Sequence, residues 1–117
     1  MPDAKPEQFA GTSIRREGGL GIVKHYVLLK LAPGTDVEAA RDRVWQTYRA
    51  LDEELVWLNR PEVYRTCVER DSNADIMAVI ELDSPEYLQP YLTHPLHLQM
   101  ARDMKDVVVG RTSFDHN

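Results

Sequence analysis

Tyr91-Leu92-Thr93-His94-Pro95-Leu96-His97 places a phenol and two imidazoles within seven residues, around a proline that breaks a helix. A histidine titrates near neutrality, so it can take and return a proton. A carboxylate on its far nitrogen fixes the tautomer and supports the imidazolium. A tyrosine hydroxyl can donate to a developing oxyanion. The residues that could join such a set are His25, Tyr48 and Asp115. The spacing predicts His97 as the acid–base group, Asp115 as its orienting carboxylate and Tyr91 across the proline break. His94, beside Pro95, reads as a helix cap or a surface residue. A histidine on an apolar stripe is more often a satisfied core residue, and His97 and Asp115 also read as a structural hydrogen bond.

These side chains depend on the elements that carry them. Ile22 to Leu31 alternates, with Val23, His25, Val27, Leu29 and Leu31 on one face. Its other face is apolar in the middle, so the strand must be covered on both sides. Thr35-Asp36-Val37-Glu38 predicts a capping box with Thr35 at the N-cap. Val37, Ala40, Val44, Tyr48, Leu51 and Leu55 then form one helical stripe. Asn59-Arg60-Pro61 is expected to end that helical unit, and Glu62 to Val68 to form an edge strand. Ile76 to Leu82 is almost continuously apolar, a strand buried on both faces.

Ser84-Pro85 starts a second helix, broken at Pro95. From Leu96, residues His97, Met100, Ala101, Met104 and Val108 share a stripe that ends at Gly110. Thr112 to His116 is a closing strand with Ser113 and Asp115 on one face. The order predicts an α+β, ferredoxin-like βαββαβ domain with an antiparallel four-stranded sheet. Two helices cover one side of such a sheet, so a second copy is expected on the other, giving a homodimer. Residues 1–21 lack either period and read as a flexible N-terminal arm, leaving 22–117 as the domain.

Composition narrows the function. The 117 residues are 43% hydrophobic and 28% charged, with a net charge of -5, enough for one domain. That charge argues against nucleic acid or an anionic membrane as partner. No apolar run approaches the ~18 residues that span a bilayer, and no signal peptide is visible. Cys67 is the one cysteine, expected as a half-buried hydrophobe in a reducing compartment, the cytoplasm. No His, Cys or Glu spacing suggests a zinc site, so neither metal nor cofactor is expected.

Val23-Lys24-His25, Pro33-Gly34, Tyr91-x-x-His94-Pro95-x-His97 and Phe114-Asp115 resemble the stress-responsive dimeric α/β barrel (Dabb) family over Ile22 to His116. The resemblance implies two sheets closing a dimeric α+β barrel. A plant polyketide cyclase of that family implies His97 as general base, Asp115 orienting it, and Tyr91 polarising a carbonyl substrate. It also implies His25 and Tyr48 as cavity lining, with Ile76 where the cyclase has a further histidine. Met100 would flank the pocket. The expected activity is that of a cofactor-free cyclase, isomerase or lyase on an apolar carbonyl compound. A non-catalytic stress or assembly protein is the rival reading, and a haem- or quinone-handling monooxygenase ranks behind both. A cavity of ~300 Å³ or more with His97 at one end would favour the enzyme.

Overall fold

The computed structural model describes residues 21–117. The expected N-terminal arm, residues 1–21, lies outside the described residues except for Gly21. Strand β1 (Val23–Leu31) leads to helix α1 (Val37–Glu54), then β2 (Leu58–Arg65) and β3 (Ile76–Leu82). A single 3-10 turn (Pro85–Tyr87) opens the second helical unit. It continues as α2 (Leu88–Leu92) and α3 (Pro95–Met104), and β4 (Val108–His116) closes the chain. The strands pair antiparallel in the order β2-β3-β1-β4. This is the ferredoxin-like arrangement, with the two strands that are apolar on both faces at its centre.

The helix-side face of the sheet carries Val27, Leu29, Leu31, Ala78, Ile80 and Leu82, packed against Ala40, Val44, Tyr48 and Leu51 of α1. The 18 residues of α1 present one stripe every three to four positions, which is why they form a helix over this sheet. The opposite face keeps Leu28, Tyr64 and Phe114 at 36%, 50% and 63% exposure. Tyr26 lies against Phe114 there, with ring centroids 6.5 Å apart.

Four local expectations need correcting. The N-cap of α1 is Asp36, whose carboxylate accepts from the Ala39 N–H. Thr35 instead donates its hydroxyl to the Ala32 carbonyl, and Glu38 reaches Arg65. Asn59-Arg60-Pro61 does not end a helix but lies within β2. The ladder shifts between Asn59 and Glu62, and Arg60 takes a φ of 53°. Pro61 has no N–H to donate, and an irregularity on an edge strand accommodates it. Val108 belongs to β4, paired with Leu31, rather than to the helical stripe. The β-branched run Val107-Val108-Val109 favours a strand over another helical turn. Cys67 lies beyond the end of β2 and is exposed.

Candidate functional site

The polar residues inside this core converge from four elements. His25 on β1 sits directly across the ladder from Asp115 on β4. Its Nδ1 donates to the Asp115 carboxylate at 2.5 Å. Tyr48, from the buried stripe of α1, meets Tyr91 of α2 hydroxyl to hydroxyl at 2.6 Å. Tyr91 is completely buried, and its ring stands edge-on between two imidazoles. The His25 centroid is 5.4 Å away and the His97 centroid 4.8 Å. Pro95 makes this possible. It ends the α2 segment, and His94 caps α3 by accepting the Leu96 N–H on its Nδ1. The restarted helix turns His97 inward.

Asp115 therefore pairs with His25, not with His97 as the sequence suggested. The register of β4 against β1 decides this, because it sets Asp115 opposite His25 on the same sheet face. His97 is 7% exposed, and its buried Nδ1 makes no hydrogen bond. The buried Nε2 of His25 also lacks a partner. Buried nitrogens without partners are uncommon, and both belong to the residues grouped around Tyr91.

A cavity of about 210 Å³ opens beside this group. Tyr48 and His97 form its polar wall, and Val27, Leu29, Val44, Ala78, Met100 and Met104 its apolar one. Lys105 and Arg111 also line it. Met100 is where the sequence placed it. His25, Tyr91 and Asp115 stand behind the wall, in contact with it through Tyr48 and His97. Ile76 is packed into the core at 1% exposure and does not line this cavity. Ile76 opens β3, and Ala78, two residues on and on the same face, takes the wall position. The volume falls short of the ~300 Å³ expected of a pocket for larger ligands.

Electrostatics divide the group by role. Burial lowers the pKa of His97 below its ordinary 6.5, and the Arg111 cation adds to this, with smaller contributions from His25 and His94. The Leu92 backbone pulls the other way without overcoming them. The ring is thus neutral at pH 7 and can accept a proton. Burial pushes the Tyr48 phenol up to about 12, against the bond from Tyr91 and the charge of Arg111. Burial likewise raises Tyr91 well above 10.0, helped by Tyr48. Both phenols stay protonated and remain donors. Among the described residues no group of three or more His, Cys, Asp or Glu could hold a metal ion.

Arg111 and Lys105 were not foreseen. Arg111 lies four residues before Asp115, so the strand period of two puts both on one face. Starting the last strand at Thr112 left it out. Lys105 follows the end of α3 and carries no sequence signal of its own.

The profile of the Stress responsive A/B Barrel Domain matches residues 23–117. No curated protein matches the chain in sequence. Among solved structures, a dimeric protein of unknown function with a ferredoxin-like fold from Bacteroides fragilis is 24% identical. The match covers 83% of this chain and 96% of that one, with a TM-score of 0.71. A Dabb family protein with a ferredoxin-like fold from Mesorhizobium loti is 18% identical over 83% and 96% of the two chains, TM-score 0.62. The hydroxynitrile lyase from Passiflora edulis is 12% identical over 82% and 92%, TM-score 0.66. No helix among the described residues is long and apolar enough to cross a membrane. With its profile matched from the first strand to the last residue, the chain belongs to the stress responsive A/B barrel domain family.

Proposed function

We propose that this protein is a homodimeric enzyme that carries out acid–base chemistry on a small apolar carbonyl compound, with His97 as the proton carrier. The observation that carries this reading is a neutral, buried imidazole on the wall of an open apolar cavity, next to a protonated phenol. Neutral His97 would remove a proton from the carbon α to the carbonyl, the C–H electron pair passing into the enolate whose oxygen then carries the charge. Tyr48 would donate its hydroxyl proton to the oxygen on which negative charge develops. For that, Tyr91 must donate to the Tyr48 oxygen, which leaves the Tyr48 proton free for the substrate. Tyr91 is then a positioning residue, as are His25 and Asp115, which fix the far side of the Tyr91 ring. Such chemistry needs no cofactor.

The cavity selects among the reaction classes. At about 210 Å³ it is smaller than the ~300–1,000 Å³ usual for ligand pockets. That suits an isomerase or lyase acting on a short molecule better than a cyclase folding a long polyketide chain. The fold shared with a hydroxynitrile lyase is consistent with the lyase class. A non-catalytic stress or assembly role would use the same residues to knit a closed core, and the open cavity and unpartnered Nδ1 of His97 count against it. The apolar sheet face at Tyr26, Leu28, Tyr64 and Phe114 supports the dimer, as do dimeric relatives. On this reading residues 22–117 are the barrel domain. A lone free cysteine fits a reducing compartment such as the cytoplasm.

The test is exchange of α-protons for deuterium, followed by NMR over a panel of small ketones and aldehydes. The protein should accelerate exchange for at least one member, and His97→Ala should abolish that while the dimer stays folded. Exchange that persists in the variant would overturn the assignment.

A further inference from the structure

We propose that the cavity beside His97 takes a small apolar oxo acid, its carboxylate held at the mouth by the Arg111 guanidinium with the Lys105 ammonium beside it. The inference rests on the reading above and names the substrate class for that same site.

The lining contains two cations and no carboxylate. Neither cationic side chain makes a hydrogen bond or ion pair among the described residues. This sets Arg111 apart. Arg41, Arg43, Arg49, Arg60 and Arg65 each hold an acidic partner on the surface. Three acids carried by β4, α3 and α1 are engaged elsewhere. Asp115 holds His25, Asp103 is taken by Arg43 and Gln99, and Glu54 by His94.

Position adds to this. Arg111 pairs in register with Leu29, itself a wall residue. Its charge acts on Tyr48, Tyr91 and His97 alike, so the guanidinium stands within range of the polar wall. Arginine offers a planar fork that matches a carboxylate. A short molecule with its acid group at Arg111 would lay its body along Val27 and Met100 and bring its carbonyl to Tyr48 and His97. The anion would also offset the cation that disfavours protonation of His97, raising its basicity in the complex.

Benzoate and its neutral isostere benzamide, titrated into the full chain by calorimetry, test this without requiring turnover. Benzoate should bind at least tenfold more tightly, and added salt should weaken benzoate alone. Arg111→Gln should bring benzoate to the level of benzamide and leave benzamide unchanged, with Arg111→Lys restoring part of the difference. Equal binding of the two ligands would overturn the inference. So would a preference that survives Arg111→Gln, or no binding of either. Because Arg111 is exposed, its substitution should leave the fold intact, which the melting curve checks. Loss of α-proton exchange in His97→Ala without any acid preference would keep the proposed chemistry and sink the acid. An acid preference alongside exchange indifferent to His97 would do the reverse.

Discussion

Replacing Tyr91 by phenylalanine removes one oxygen and leaves the ring that separates His25 from His97. What is lost is the 2.6 Å bond to the Tyr48 hydroxyl. Both phenols are buried, at 0% and 1% exposure. A buried hydroxyl stripped of its partner costs ~1–3 kcal/mol. Tyr48 faces the cavity, where water can replace the lost partner, so the lower end applies: about 1 kcal/mol. For a domain of this size that corresponds to a fall in Tm of ~4–8 °C. The effect on turnover should be larger than that stability loss suggests, because the Tyr48 proton is no longer directed at the substrate. Tyr48→Phe should cost similar stability and more activity. If the two hydroxyls act as one unit, the double variant should be little worse than either single one, a coupling of about 1 kcal/mol. Thermal melts and α-proton exchange rates on the four proteins complete the cycle. Strictly additive losses, or a Tyr91→Phe protein that melts with the parent, would refute the argument that this pair is a bonded unit.

Other consequences follow from the same geometry. The folded pKa of His97 lies below the unfolded 6.5, so the unfolded chain binds the proton more readily. His97 therefore contributes stability in full above pH 6.5, lost as pH falls through its folded value. The activity profile should show its acid limb below 6.5, and denaturant titrations across pH 5 to 7.5 should show stability rising with pH, less steeply in His97→Ala. Asp115→Asn should disturb the imidazole NMR signals of His25 first and those of His97 only weakly. With the carboxylate 39% exposed, its stability cost should stay near ~1 kcal/mol. Phe114→Glu, on the open sheet face at 63% exposure, should yield a monomer by analytical ultracentrifugation. An intact dimer would place the interface elsewhere.

The framework was legible because burial leaves a periodic trace. β1 and β3 read as apolar on both faces, which marked them as central strands, and the stripe of α1 delivered Tyr48 to the interior. Pro95 and His94 marked where α3 restarts, so the inward aim of His97 followed. Register was not legible. Nothing in the spacing of His25 and Asp115 says that they face each other across a ladder that shifts between Lys30 and Leu31, and so the carboxylate was given to the wrong histidine. Arg60 in a left-handed conformation absorbed Pro61 inside a strand, where the local rule expected a stop. The wall of the cavity was missed at Ala78 and Arg111 for a related reason. A cavity is what packing leaves over between elements, and its volume is set by side chains far apart in sequence.

The most direct measurement is the imidazole nitrogen spectrum of His97 in the intact protein at pH 7, with and without a small ketone such as acetophenone. The account predicts a neutral ring whose signals move on addition of the ketone, while those of His116, on the opposite face of the sheet, stay in place. A His97 that is cationic at pH 7, or one that does not respond to any small carbonyl compound, would contradict it.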